Sequence, residues 1–211
     1  MREAKSNVLI IDDDPGFCDS VGRLLRSVGL HAHQFSSVSD FLKAGPWDGP
    51  SCLVLDVRMP GRSGLELQRD LAAANRELPI IFITAHADIP MTVQAMKGGA
   101  IEFLTKPFRD QDLLDAVEAG LARDRARRES NSALDALKER FETLSSRERE
   151  IMVQVTAGRL NKQIAGDLGI AESTVKIHRT NLVRKMKARS LPDLSRMADL
   201  LKLAPGKPSG S

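Results

Sequence analysis

The stretch Cys52-Leu53-Val54-Leu55-Asp56 is a short apolar run that ends in a carboxylate. Three more apolar runs also lead into polar groups: Val8–Ile11 before Asp12, Pro79–Ile83 before Thr84, and Phe103-Leu104 shortly before Lys106. Apolar runs of this length are typical of buried strands. In an open α/β sheet, ligands bind just beyond the carboxyl ends of the strands. The four runs therefore predict one polar crevice at one edge of a parallel sheet.

Amphipathic segments separate these runs over residues 1–122. Apolar residues of 17–28 recur at helical spacing, and Gly29 marks the end of that helix. Ser63-Gly64-Leu65-Glu66 matches a capping box, the start of another helix. The other predicted elements are strands at Leu30–Phe35, on a sheet edge, and at Ile101–Thr105, and helices at Ser37–Ala44, at Met91–Lys97 and from Asp110 onward. Five strand–helix units predict an α/β domain, with a mostly parallel sheet and helices on both faces.

Charge is distributed unevenly along the 211 residues. Residues 1–122 carry a net charge of −5, whereas residues 145–211 hold 13 Lys and Arg against 6 Asp and Glu. This asymmetry predicts two domains with different partners, the basic one binding a polyanion. No apolar stretch approaches the roughly 20 residues of a membrane span. The two cysteines, Cys18 and Cys52, fit no metal spacing and favour a reducing cytosol, so we expect a cytoplasmic protein with no membrane partner.

The basic part of the chain predicts a separate all-α domain of four helices. Ser145-Ser146-Arg147-Glu148 is a second capping box, and Gly169-Ile170-Ala171 is a tight break between two later helices. Two helices joined by a short turn with glycine are typical of a helix-turn-helix. Residues 123–132 lack an apolar face and are either a flexible linker or a solvated extension of the preceding helix. The predicted ranges are a first domain at 1–122, a partly helical linker at 123–143, a helical domain at 144–204 and a disordered tail at 205–211.

The predicted crevice has the groups that phosphoryl transfer needs. The carboxylates of Asp12-Asp13-Asp14 and Asp56 would repel one another unless a cation joins them, and Mg²⁺ prefers such oxygen ligands. A carboxylate is ionised at neutral pH and can act as a nucleophile without a base. Lys106 and Thr84 could then neutralise and hold an incoming phosphoryl group. Each residue alone also has an ordinary structural explanation, so the prediction depends on the whole set. Lys106-Pro107 is a candidate cis peptide bond.

Four motifs carry a resemblance to a known family: Ile10-Ile11-Asp12-Asp13-Asp14, Leu55-Asp56-Val57-Arg58-Met59-Pro60-Gly61, Thr84-Ala85 and Lys106-Pro107. Over about residues 6–122 they resemble the receiver domain of two-component response regulators. The resemblance implies a doubly wound five-stranded parallel sheet of order 2-1-3-4-5. It implies that Asp56 is the phosphoacceptor, with Thr84 and Lys106 as its catalytic partners. Its implied ligands for Mg²⁺ or Mn²⁺ are Asp13, Asp56 and the backbone carbonyl of Arg58, with Asp12 acting mainly through water.

The same resemblance implies residues that change conformation on phosphorylation and residues that set the lifetime of the phosphoryl group. Thr84 would move toward the phosphoryl group, and Phe103, three residues before Lys106, would fill the space that it leaves. Arg58 and His86 each lie two residues after a site residue, at positions that tune phosphoryl lifetime in this family. We hypothesise that Arg58 and His86 control the access of water to the phosphoaspartate. Asp14 is expected to be a helix-start residue.

An aspartate-nucleophile phosphatase is the competing interpretation of this site. Such enzymes resemble it chemically, but they usually carry a second acidic residue two positions after the nucleophile. That position here is Arg58, which argues against a phosphatase. We therefore expect no enzyme, apart from catalysis of the chain's own aspartyl phosphorylation and dephosphorylation.

Residues 173–187, placed on a helix, separate into two faces. One face is apolar and should pack on the domain core: Val175, Leu182 and Met186. The other is polar and basic, with one aliphatic side chain at its edge: Lys176, Ile177, Thr180, Arg184 and Lys187. Basic side chains contact phosphates or guanine edges, and isoleucine can contact a thymine methyl group. A solvated charged face is the alternative for a stripe of this kind.

Three further motifs resemble the LuxR-type helix-turn-helix over about residues 141–203: Leu144–Glu150, Gly158–Ala165 and Glu172–His178. A receiver followed by this module looks like the NarL/FixJ family of transcription factors, and Ala87–Met91 with His86 favours the FixJ-type branch. The resemblance puts Lys176, Ile177 and Thr180 at base-reading positions. It puts four residues near the DNA backbone: Lys162, Thr174, Arg179 and Lys185. Thr180 departs from the family, in which this position is often basic.

Together the two resemblances imply a transcriptional regulator whose partner is a sensor histidine kinase. Phosphorylated Asp56 would promote a homodimer through Met91–Lys97 and Ile101–Thr105, which then binds two promoter half-sites. The last helix, around Leu191–Ala198, would add contacts in the DNA-bound dimer, and RNA polymerase is a further candidate partner. An alternative is a receiver that works without phosphorylation, with dimerisation driven by residues 123–144.

Overall fold

The computed structural model describes residues 5–203, so the tail predicted at 205–211 lies outside the described residues. The chain divides into two compact units, Met1–Arg128 and Glu129–Ser211. The strands are β1 Asn7–Ile11, β2 His31–Phe35, β3 Ser51–Asp56, β4 Ile80–Thr84 and β5 Glu102–Thr105. The helices between and after them are α1 Pro15–Ser27, α2 Val38–Lys43, α3 Gly64–Ala73, α4 Ile89–Lys97 and α5 Asp110–Glu142. Residues 123–132 are helical and belong to α5.

The five strands form one parallel sheet in the order β2-β1-β3-β4-β5, so the predicted topology is confirmed. The register explains why the polar residues meet. Ile11 lies opposite Leu55, so Asp12 and Asp56 follow neighbouring strands at the same level. Thr84 lies opposite Thr105, the residue before Lys106.

The sheet is buried on both faces, as a parallel sheet with helices on each side requires. All residues from Val8 to Ile11 have no solvent exposure, and β4 is buried along its whole length. Alternate residues pack in two separate layers. One layer includes Ile10 and Val54 with residues of α1 and α5, and the other includes Ile11 and Leu55 with residues of α2, α3 and α4.

Several boundaries differ from prediction by one or two residues, for local reasons. Helix α4 begins at Ile89 rather than at Met91, because Asp88 caps it and Pro90 is tolerated in a first turn. The predicted strand at Ile101 begins one residue later, at Glu102.

The second unit contains the residues of α5 after 128 and four helices: α6 Ser146–Thr156, α7 Asn161–Leu168, α8 Glu172–Met186 and α9 Leu191–Leu200. Their buried side chains form one core that includes Ile151, Ile164, Val175 and Leu194. Helix α8 ends at Met186, one residue before the end of the predicted range 173–187, because Lys187 adopts a left-handed conformation with φ of 56°. None of the helices in residues 5–203 is long and apolar enough to cross a membrane.

Candidate functional site

Three carboxylates meet at the carboxyl end of the sheet. One oxygen from each of Asp12, Asp13 and Asp56 lies within 4.8 Å of the others. Asp12 follows β1 and is only 1% exposed, whereas Asp13 is exposed and Asp56, the last residue of β3, is half-buried. A group of carboxylate oxygens open to solvent on one side fits a hard divalent cation that keeps part of its water. The donor set therefore fits Mg²⁺ or Mn²⁺.

Lys106 joins two of these carboxylates. Its Nζ lies 2.5 Å from Asp12 Oδ2 and 3.4 Å from Asp56 Oδ2. The ammonium also lies 3.8 Å from the centre of the Phe17 ring, which is within cation–π range. Burial alone would lower the pKa of this lysine, but the hydrogen bond to Asp12 and the charges of Asp12 and Asp56 outweigh it and raise the pKa. Lys106 is therefore a permanent cation in the site. The predicted cis peptide bond between Lys106 and Pro107 is confirmed.

Asp12 and Asp14 have different roles. Burial raises the pKa of Asp12 above its ordinary value, although the hydrogen bond from Lys106 and the backbone N–H of Asp14 oppose that shift. Asp14 caps α1, where its carboxylate accepts hydrogen bonds from the backbone N–H groups of Gly16 and Phe17. The prediction that Asp14 starts a helix is confirmed.

The other predicted site residues lie on β4 and β5 and in the segments that follow β3 and β4. Thr84 is 1% exposed, and its Oγ1 accepts a hydrogen bond of 3.2 Å from the backbone N–H of His86. The backbone N–H of Arg58 donates to Asp56 Oδ1 over 3.0 Å. The side chains of Arg58 and His86 are exposed. Phe103 is half-buried on β5, with its ring centre 6.2 Å from that of Phe82.

Helix α8 presents the polar face that the sequence predicts. Val175, Leu182 and Met186 are buried, which confirms the apolar face. Ile177 is 61% exposed, although an isolated aliphatic side chain gains nothing from contact with water. Four other predicted contact residues are also exposed: Lys162, Lys176, Thr180 and Arg184.

Two basic residues have partners inside the helical unit. Lys185 Nζ lies 2.6 Å from a Glu148 carboxylate oxygen and donates a second hydrogen bond to the carbonyl of Thr143. Glu148 is 3% exposed. Burial would raise its pKa, but the bonds from Lys185 and from the backbone of Ser145 outweigh that and lower it. Arg179 donates to Asn161 Oδ1 over 2.5 Å, while Thr174 is half-buried at the start of α8.

One buried charge cluster in the first unit could not be predicted from the sequence. The side chain of Asp124 is fully buried on α5 and pairs with Arg127 and Arg128, the latter over 2.7 Å. It also accepts a hydrogen bond of 2.9 Å from the backbone N–H of Ser51, the first residue of β3. Arg128 reaches the carbonyl of Trp47. The partners lie up to 81 positions apart in the sequence, so only the fold brings them together.

Comparison with known proteins gives matches over both units. The family model described as the response regulator receiver domain matches residues 8–118, and that of the luxR family of bacterial regulatory proteins matches residues 142–198. Nodulation protein W of Bradyrhizobium diazoefficiens is 54% identical over 93% of this chain and 87% of its own length. The transcriptional regulatory protein FixJ of Azorhizobium caulinodans is 44% identical over 94% of each. The solved structure of response regulator StyR has a TM-score of 0.84 and 48% identity, covering 93% of this chain and 99% of that chain.

Proposed function

The chain belongs to the two-component response regulators that join a receiver domain to a LuxR-type DNA-binding domain, and we propose that phosphorylation of Asp56 controls its binding to promoter DNA. The observation that carries the proposal is the ion-paired cluster at the sheet edge. Lys106 bridges Asp12 and Asp56, and Asp13 completes a set of oxygens that suits a divalent cation. The competing phosphatase has no acidic residue at position 58 to act as its acid or base.

Asp56 is the nucleophile in this proposal. One of its carboxylate oxygens attacks the phosphorus of a phosphohistidine on a sensor kinase, the P–N bond breaks, and an acyl phosphate forms on Asp56. Lys106 and the hydroxyl of Thr84 bind the phosphoryl oxygens, which carry the developing charge. Asp12, Asp13, Asp56 and the Arg58 carbonyl would hold Mg²⁺ or Mn²⁺, which when bound neutralises phosphoryl charge. Arg58 and His86, exposed beside the site, limit the access of water to the acyl phosphate.

The phosphoryl group acts by shifting the receiver toward a form that dimerises. Contact between Thr84 and the phosphoryl group and inward movement of Phe103 change the surface of α4 and β5. That surface suits self-association because α4 exposes three large apolar side chains, Ile89 at 80%, Val93 at 45% and Met96 at 43%. We call the exposed side chains of these three residues the α4 face. Two DNA-binding domains then reach two half-sites about one helical turn apart.

Helix α8 is the recognition helix in this account. Lys176, Ile177 and Thr180 contact base edges, and Lys162, Thr174, Arg179 and Arg184 lie near phosphates. We assign Lys185 to the stability of the domain instead, because its ammonium is already bonded to Glu148 and Thr143.

Selection of bound DNA from a random pool tests this function. The full chain is presented to the pool with Mg²⁺, once with beryllofluoride as a phosphoryl mimic and once without it. We expect paired half-sites to be enriched with the mimic and to be enriched weakly without it. Enrichment of the same sequences to the same extent in both pools would show that phosphorylation does not control DNA binding.

A further inference from the structure

A buried glutamine joins the helix after the phosphorylation site to the helix that carries the α4 face. Gln68 of α3 is 5% exposed, and its Nε2 donates a hydrogen bond of 2.9 Å to the backbone carbonyl of Ala95 in α4. The two residues are 27 positions apart. A polar side chain is rarely buried in a protein core unless it has a hydrogen-bond partner there. The partner here is the backbone of a different helix.

The bond meets α4 at its carboxyl-terminal end, where helix carbonyls lack partners within the helix. The carbonyl of Ala95 accepts one hydrogen bond from the backbone N–H of Ala100 and a second from Gln68. Gly98, which follows the last residue of α4, shows how close the approach is. A Cβ built on Gly98 would lie 2.5 Å from Gln68 Oε1, although the φ of −74° at Gly98 suits any residue. A larger residue at this position would therefore have to displace the amide of Gln68, whereas the backbone conformation itself would accept it.

Helix α4 has few other attachments. Of its nine residues, Ala95 alone is buried. A helix with so little buried apolar surface moves at low cost in free energy. In addition, a cavity of about 350 Å³ is bordered by Gln68, Gly98 and Gly99. The amide of Gln68 is thus one of the few contacts that fix the position of this helix end.

The start of α3 contacts the main chain next to the phosphoacceptor. Gly64 is the first residue of α3, and its backbone N–H donates to the carbonyl of Val57, the residue after Asp56. A Cβ on Gly64 would collide with the backbone carbonyl of Asp56. Helix α3 therefore contacts the main chain of Asp56 at its start and the main chain of α4 at Gln68, which lies one turn later.

From these contacts we propose that Gln68 is a positioning residue that couples the chemical state of Asp56 to the position of α4, and hence to dimerisation through the α4 face. The inference rests on the proposed function, in which that face forms the dimer. A shift of the Asp56 main chain moves the start of α3, and the amide of Gln68 carries the shift to the end of α4. Without the amide, α4 no longer follows α3.

The test measures coupling rather than stability. Dimer dissociation constants of the full chain are determined by analytical ultracentrifugation with Mg²⁺, with and without beryllofluoride, and their ratio gives the coupling. Gln68→Met keeps the length of the side chain and removes its donor. We expect it to reduce the ratio about tenfold, the factor that one buried hydrogen bond supplies. Arg69→Ala, at an exposed position on the same helix, should leave the ratio unchanged.

Gly98→Ala is a second test of the same hydrogen bond if Gln68→Met folds poorly, because the added methyl group should displace the amide of Gln68. It should reduce the ratio in the wild-type background and have little further effect beside Gln68→Ala, which makes room for it. If the wild type dimerises with beryllofluoride and both variants keep its ratio within twofold, the role of Gln68 is refuted and the proposed function stands. If the wild type itself shows no change, both proposals fail.

Discussion

The ammonium of Lys106 lies 2.5 Å from the carboxylate of Asp12, the least exposed of the three clustered aspartates. The site is therefore not an open set of carboxylates. A fixed cation already neutralises part of its charge, and it stands beside Asp56, where an incoming phosphoryl group would bring more negative charge. Lys106 should therefore weaken the binding of a metal cation at this site and strengthen the binding of an anionic phosphoryl group.

Replacement of Lys106 by methionine separates these two effects. Loss of the ammonium leaves Asp12, Asp13 and Asp56 without a neighbouring cation, so we expect Mg²⁺ to bind at least about tenfold more tightly. Capture of beryllofluoride should weaken, because the charge that stabilises it is gone. Isothermal titration calorimetry measures both affinities. Lys43→Met is the matched control, since the Lys43 side chain is 74% exposed. Unchanged Mg²⁺ affinity in the Lys106 variant would rule out the electrostatic account.

Ile177 tests the recognition helix. Because this side chain is 61% exposed, Ile177→Ala should leave the free energy of unfolding nearly unchanged. Its affinity for DNA recovered from the random pool should fall by about 1–2 kcal/mol, the value of a base contact. Leu200→Ala, on α9 rather than α8 and 56% exposed, should bind DNA like the wild type. Equal losses in both variants would place the DNA-contacting surface elsewhere.

Lys185 and Arg184 are neighbours in sequence that should behave in opposite ways. Lys185→Met leaves Glu148 buried without its cation and should destabilise the helical unit by about 2 kcal/mol. Arg184→Met, at an exposed position, should cost little stability but weaken DNA binding and reduce its salt dependence by about one counterion. Circular dichroism follows unfolding of the whole chain, and fluorescence of Trp47, the single tryptophan, reports the first unit as an internal reference. Reversed roles of the two residues would contradict the assignment.

The same pair predicts a pH dependence. The pKa of Glu148 is lowered in the folded chain, so the folded structure stabilises its ionised form relative to the unfolded chain. The stability that it contributes should be fully present above the ordinary glutamate value of 4.5 and should be lost as pH falls through the lower folded pKa. Urea unfolding at a series of pH values should therefore show the difference between wild type and Lys185→Met shrinking below pH 4.5. A difference that grows in acid would have the wrong sign for this pair.

The buried carboxylate of Asp124 should stabilise the packing of α5 in the first unit. Asp124→Asn removes a fully buried charge from beside two arginines and weakens the bond to the backbone of Ser51. We expect a loss of about 2–3 kcal/mol in the unfolding free energy of that unit, measured by Trp47 fluorescence. Asp115→Asn, at an exposed position on the same helix, should change it by less than about 0.5 kcal/mol. A fully stable Asp124 variant would show that the cluster contributes nothing to the fold.

The sheet and its polar edge could be predicted from the sequence because both depend on local patterns. Each short apolar run leads into a polar residue, and parallel strands bring those ends together, as Asp12 and Asp56 show. The roles of Lys185, Asp124 and Gln68 could not be predicted in this way. Their partners, Glu148, Ser51 and Ala95, are 37, 73 and 27 positions away, and no periodicity links them. A basic residue on a recognition helix suggests a DNA contact until its buried partner is known.

The most direct test of the account compares the wild type with Asp56→Asn for binding to the selected DNA, with Mg²⁺ and with or without beryllofluoride. Asparagine keeps the shape of the side chain and removes the charge on which capture of the mimic depends. In the wild type, the mimic should tighten binding at least about tenfold, as a shift of about 1–2 kcal/mol between two receiver states allows. The mimic should have no effect on Asp56→Asn, which should bind like the unactivated wild type. An Asp56→Asn variant that binds as tightly as the activated wild type would show that phosphorylation of Asp56 does not control DNA binding and would favour a receiver that works without phosphorylation.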